Sequence, residues 1–164
     1  MGIQKQGEIM SEVRPIIGPY GAENQAHIKN KNFLYTKEER QRRDQTPWTL
    51  VQGVLAPVQF VVFLVSLALV INYFISGNGE NAALFSVVLK TIILYAIMIT
   101  GSVWEKVVFG KYLFAKPFFW EDVFSILVLF LHSFYLVSLI IPTFSVVDQL
   151  SIALAAYLAY LINA

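Results

Sequence analysis

The chain contains no cysteine, which excludes disulfides, thiolate metal sites and cysteine nucleophiles. Charge is also scarce: Lys, Arg, Asp and Glu make up 14% of the 164 residues, where ordinary soluble domains carry about 25%. The two histidines, His27 and His132, stand too far apart in character and position to read as a protein metal site. No Gly-rich phosphate loop, G-x-S-x-G elbow or nucleic-acid signature occurs, so nucleotide enzymes, serine hydrolases and nucleic-acid partners recede. No apolar h-region follows Met1, and no cleaved signal peptide is expected. What the chain has instead is apolar bulk. Hydrophobic residues reach 57%, aromatics 15% and the mean hydropathy is +0.61, a composition that reads as a membrane protein and nearly rules out a soluble single-domain enzyme.

The few charges are unevenly placed. Residues 1–45 hold eight of the twelve Lys/Arg and six of the eleven Asp/Glu, which marks them as a polar arm, poorly ordered over most of its length. Thr36-Lys37-Glu38-Glu39 matches a capping box and predicts a short basic helix near 37–45 carrying Arg40, Arg42 and Arg43, suited to anionic headgroups. Thr46 reads as a second N-cap, with Pro47 at the first helical position where its missing N–H costs nothing.

Residues 46–164 then form the membrane domain. Apolar stretches at about 47–75, 82–109, 119–141 and 149–164 predict four spans of an all-α bundle, the last the shortest, since about 20 residues cross a bilayer. Gly77 to Glu80, Pro117 and Pro142 punctuate the turns, and Ser145 to Asp148 is a further capping box. Basic residues lie in the arm and in the second loop, at Lys106, Lys111 and Lys116, with none in the first and third loops. The positive-inside rule therefore places both termini in the cytoplasm, the protein being multi-pass in the cytoplasmic (inner) membrane.

Ionisable and amide side chains at membrane depth are functional candidates. Gln52, Gln59, Ser66 and Tyr73 recur every seven residues and share a helix face. Glu121, Ser125, His132 and Tyr135 fall near one line of the third span. At about 1.5 Å per residue, Gln59 lies about 17 Å and His132 about 20 Å from the cytoplasmic ends of their spans, and Lys90 about 12 Å from the opposite end. Glu105, Glu121 and Asp122 gather at the cytoplasmic mouth. Structural readings stand beside these: helix-dipole acids for Glu121 and Asp122, an interfacial Glu105/Lys106 pair, interhelical bonding for the glutamines, and close helix packing along Ser151, Ala155 and Ala159, within the bundle or between copies.

The strings Trp48-Thr49-Leu50-Val51-Gln52-Gly53-Val54-Leu55-Ala56-Pro57, Thr100 to Ala115 (TGSVWEKVVFGKYLFA), Phe118-Phe119-Trp120-Glu121-Asp122-Val123-Phe124-Ser125 and Leu131-His132 closely resemble the 3-vinyl bacteriochlorophyllide hydratases of phototrophic bacteria, from about Leu34 onward. The resemblance implies addition of water across the 3-vinyl group of a chlorophyllide-type tetrapyrrole to give a 3-(1-hydroxyethyl) group, with no cofactor. That chemistry needs an acid for the terminal CH2, a base or water-positioning group, and an orienting pocket. Glu121 or Asp122 is expected as the acid with Glu105 as its partner, and His132 as proton shuttle or axial ligand to the substrate's magnesium. Gln52, Gln59, Lys90, Trp104, Lys106 and Trp120 are the expected substrate contacts, with Trp48, Trp104 and Trp120 stacking on the macrocycle or forming an aromatic belt. Lys106, Lys111 or Lys116 would pair with the substrate propionate. Lipid, a second copy of the chain and neighbouring pigment-biosynthesis enzymes are the partners considered. The rival reading is a non-catalytic pigment-binding or assembly subunit of a photosynthetic complex; a small transporter is weaker, because four spans offer little room for alternating access.

Overall fold

The computed structural model describes residues 34–163, and all secondary structure among them is helical. Helix α1 covers Lys37–Gln45, α2 Pro47–Ser76, α3 Glu80–Phe109, α4 Phe119–Ser138 and α5 Val146–Asn163, with one 3-10 turn, Lys116–Phe118, leading into α4. Each boundary has local chemistry behind it. Thr36 Oγ accepts from the Glu39 amide at 3.2 Å while the Glu39 carboxylate accepts from the Thr36 amide at 2.7 Å, so α1 starts in a closed capping box. Thr46 caps α2 through the Trp48 amide, with Pro47 at the first turn. Gly77 and Gly79 take left-handed conformations at φ +69° and +85°, which lets α2 hand over to α3 across a very short turn. Ser145 and Asp148 exchange hydrogen bonds at the start of α5. The third apolar stretch, read as 119–141, is helical only to Ser138. Pro142 disfavours a helical Ile141, and Leu139–Ile141 are spent in the turn that returns the chain to α5.

Helices α2 to α5 are each long and apolar enough to cross a membrane, and large apolar side chains such as Val61, Phe85, Phe130 and Ile162 point outward. The chain is a multi-pass membrane protein. It is built from two antiparallel helix pairs, α2 with α3 and α4 with α5, joined more sparingly to each other. The pairs meet most closely near the 77–79 and 139–145 turns. There Phe63, Val70, Ala83, Val87, Tyr135, Leu150, Ala153 and Tyr157 form the apolar core. Hydrogen bonds sew the pairs together at that end: Ser66 Oγ bonds both Ser86 Oγ (2.7 Å) and Tyr157 Oη (2.5 Å), and Tyr135 Oη donates to the Leu84 carbonyl at 2.9 Å. Such bonds are useful between membrane helices because lipid supplies no competing partner.

The α1 end is assembled differently. Arg42 Nε donates to the Val108 carbonyl at 2.9 Å, satisfying one of the free carbonyls at the C-terminus of α3 and placing a cation at its negative dipole end. Arg43 pairs with Asp44 and lies 4.8 Å over the Tyr35 ring, so the Asp44 carboxylate raises the basicity of an already basic guanidinium. Tyr35 in turn stacks on Phe109. Two of the arginines expected at lipid headgroups are thus engaged with the protein, and they fasten α1 across the bundle end. Ser151 and Ala155 of the small-residue ridge are exposed, so that ridge does not serve packing inside the bundle; Ala153 and Ala156, on another face of α5, do.

Candidate active site

Toward the α1 end the two helix pairs separate and leave a cleft of about 260 Å3 lined by all four long helices. Ala56, Leu94, Ile97 and Val128 supply apolar wall, and each helix adds two polar groups: Gln52 and Gln59 of α2, Ser102 and Glu105 of α3, Asp122 and Ser125 of α4, and Tyr160 and Asn163 of α5. Pockets that enclose a drug-sized ligand run to roughly 300–1,000 Å3. This one falls just below that range.

The two acids in the cleft, Glu105 and Asp122, are both more than nine-tenths buried and lie within electrostatic reach of one another. Their common neighbour is the loop between α3 and the 3-10 turn. Phe114 N donates to Asp122 Oδ2 at 2.6 Å and Ala115 N donates to Glu105 Oε2 at 3.3 Å. Between these two donors Phe114 adopts φ +60°, a conformation that L side chains rarely take and that costs of order 1–3 kcal/mol. Backbone strain is thus located where two carboxyl groups are held.

Glu121 is exposed and lies outside the cleft, although its position on the helical wheel predicts the interior. Asp122 is buried instead because the 110–115 loop folds back over the first turn of α4 and covers it, a contact that helical periodicity does not contain. Gln52 Nε2 donates to Thr100 Oγ1 at 2.7 Å and its amide lies over Gly101. At the rim Asn163 Nδ2 donates to Ser125 Oγ at 2.9 Å, tying α5 to α4.

Several other expected contacts sit elsewhere. Trp104 Nε1 donates to Thr49 Oγ1 at 2.9 Å, and its ring packs edge-on against Phe109 and Phe118, so it builds the bundle end and does not line the cleft. Trp120 is 69% exposed, suited to an interfacial belt. Lys106 Nζ donates to the Gly110 carbonyl at the end of α3. Lys90 and His132 are fully buried and belong to the layer beneath the cleft. Lys90 Nζ lies 3.9 Å from the centre of the Tyr160 ring, and His132 Nδ1 bonds the Val128 carbonyl at 2.8 Å. Among the described residues no three His, Asp or Glu side chains gather as a metal site; His27 lies outside them.

Sequence reasoning missed the amides of Phe114 and Ala115 and the contributions of Tyr160 and Asn163. A left-handed phenylalanine has no compositional signature. Tyr160 and Asn163 lie in the last turn of α5, so their polarity at the end of an apolar span was the available signal.

Residues 35–164 match the family model for 2-vinyl bacteriochlorophyllide hydratase. The 2-vinyl bacteriochlorophyllide hydratase of Rhodobacter capsulatus is 55% identical over 141 residues, covering 86% of this chain and 82% of that protein. Its counterpart from Cereibacter sphaeroides is 58% identical over 131 residues, covering 80% and 81%. No solved structure matches the chain.

Proposed function

The chain belongs to the 2-vinyl bacteriochlorophyllide hydratase family, and on that premise we propose that it adds water to the vinyl group of a chlorophyllide-type tetrapyrrole in bacteriochlorophyll biosynthesis, with Glu105 and Asp122 as the proton-handling pair. The ring-A vinyl numbered 2 in the relatives' names is numbered 3 in current tetrapyrrole nomenclature, so the product is the 3-(1-hydroxyethyl) pigment. One observation carries the mechanism: two buried carboxyl groups share one cleft between membrane helices.

Vinyl hydration needs a proton donor for the CH2 and an acceptor for the proton of the attacking water, and two neighbouring carboxyl groups can fill both roles. Asp122 receives the shorter amide bond, 2.6 Å against 3.3 Å, and is assigned as the acceptor, with Glu105 as the acid. The vinyl edge enters the cleft, and Glu105 gives its proton to the terminal CH2. Positive charge develops on the carbon next to the ring and spreads into the macrocycle. A water oxygen bonds to that carbon, its released proton goes to Asp122, and transfer between the adjoining carboxyl groups resets the pair. Gln52, held by Thr100, presents its amide to the entering edge.

The macrocycle outside the cleft lies at the basic end of the bundle. Lys111 and Lys116 are exposed there, within reach of a propionate that stays at the interface. The concentration of Lys and Arg at this end supports a cytoplasmic mouth, with both ends of the membrane domain on the cytoplasmic side of the inner membrane. Incubating the protein in membranes with a 3-vinyl chlorophyllide and separating the pigments chromatographically tests the assignment: a blue-shifted, more polar product is expected. Pigment that binds and returns unchanged overturns the enzyme reading in favour of a pigment-binding subunit.

A further inference from the structure

Below the cleft, three buried polar atoms have no hydrogen-bonding partner among the described residues: Gln59 Oε1, Lys90 Nζ and His132 Nε2. They are neighbours around α5. Lys90 Nζ lies over Tyr160, and the His132 ring is 5.8 Å from that of Tyr157. Both tyrosines pack on Phe63, one turn along α2 from Gln59. The Lys90 charge lies within electrostatic reach of the His132 ring. Gln59 and Tyr160 also line the cleft, so the group sits directly under its floor.

The chemistry of the three selects the ligand. The Val128 carbonyl can only accept, so His132 Nδ1 carries its hydrogen and Nε2 of the neutral ring presents a lone pair. Gln59 Oε1 is likewise an acceptor, whereas Lys90 offers up to three donors. An anion would satisfy Lys90 and be repelled by the two lone pairs. A metal cation would suit the lone pairs and be repelled by the ammonium. Water both donates and accepts, and a buried polar site with two to four partners is where water is held. Leaving all three groups dry inside a bilayer would be unfavourable.

We infer that Gln59, Lys90 and His132 hold a small water cluster under the Tyr160 floor, and that Gln59 passes water from it to the vinyl carbon. The delivery role rests on the hydratase reading; the water site itself does not. Hydration consumes one water per turnover in a cleft whose walls and bound pigment exclude bulk solvent, so a store beside the reacting carbon meets a need of the reaction. The delivered water forms its C–O bond, loses one proton to Asp122, and is replaced from the cluster.

Water-edited solid-state NMR of the intact protein in lipid bilayers tests the site without reference to activity. Magnetisation from water is expected to reach Lys90 Nζ and the His132 ring as fast as it reaches Ser125 in the cleft, and several-fold faster than it reaches Val70 and Val87 of the core. Transfer as slow as at those valines overturns the water site. Lys90→Met tests delivery: kcat should fall at least about tenfold, the effect of losing a hydrogen bond to a charged group, with KM for a 3-vinyl chlorophyllide within about twofold. An unchanged kcat overturns it. If Lys90→Met does not insert, Gln59→Leu on the cleft wall replaces it: the same fall in kcat is expected, and an unchanged kcat again overturns delivery. A wet Lys90 in protein that makes no hydroxyethyl product overturns the hydratase reading and leaves the water site standing.

Discussion

The two ends of this bundle are made from the same four helices and do opposite things. At the end carrying the 77–79 and 139–145 turns, Phe63, Val70, Val87 and Tyr135 pack as an apolar core, Ser66 is answered by Ser86 and Tyr157, and Tyr135 by Leu84. At the α1 end the pairs part, two acids are buried without a basic partner among the described residues, and a strained loop supplies their hydrogen bonds. The first end holds the helices in register. That lets the second stay open and keep groups in place that would be costly without support.

If the ends are separate devices, substitutions should divide accordingly. The largest effect belongs to the acids. Glu105→Gln or Asp122→Asn should lower turnover by about a hundredfold to ten-thousandfold, the usual worth of a general acid or base, while the melting temperature in detergent stays near wild type. Glu121→Gln, an exposed change, should keep turnover within about twofold; product chromatography on the three variants side by side checks this, and near-normal rates for both buried acids would erase the distinction between the ends.

Next, Val70→Ala, in the core of the closed end, should cost stability of about 2 kcal/mol through the cavity it leaves. Unfolding in a denaturing detergent series reads this, and folded molecules should keep a normal kcat; a folded but inactive variant would show that the closed end takes part in chemistry. A smaller effect is expected at the loop. Phe114→Gly keeps the amide and welcomes φ +60°, so turnover should stay within about threefold. Phe114→Val, β-branched, resists that conformation by roughly 1–2 kcal/mol and should lose about tenfold as the amide swings away from Asp122. Equal rates for Gly and Val would mean that the left-handed turn does not position the acids. The smallest effect is Ser66→Ala, which removes a cross-pair hydrogen bond worth about 0.6 kcal/mol and should move the unfolding midpoint only slightly, with no change in turnover.

Much of the bundle is readable along the chain because its determinants are local. Spans follow from runs of apolar residues, and caps follow from residues three apart: Thr36 with Glu39, Ser145 with Asp148. The glutamine stripe reads correctly as an inward face, since Gln59 and Ser66 are buried and Gln52 lines the cleft. The acids are harder. Helical periodicity puts Glu121 inside and Asp122 off the line, but the loop before α4 decides the matter by covering Asp122. The place of Trp104 is likewise not legible along the chain, because its partner Thr49 is 55 residues away.

By itself, the sequence determined that this protein lives in a membrane, that it crosses it as helices, and that a handful of acids, amides and one lysine must be accounted for there. These conclusions need only transfer energies and backbone hydrogen bonding, which act residue by residue. The tertiary structure decided which acids share the cleft, which arginine closes the end of α3, and which polar atoms lie together under Tyr160. Each of those depends on the fold of a loop or on contacts between distant helices, where side chains from four elements converge on one small volume.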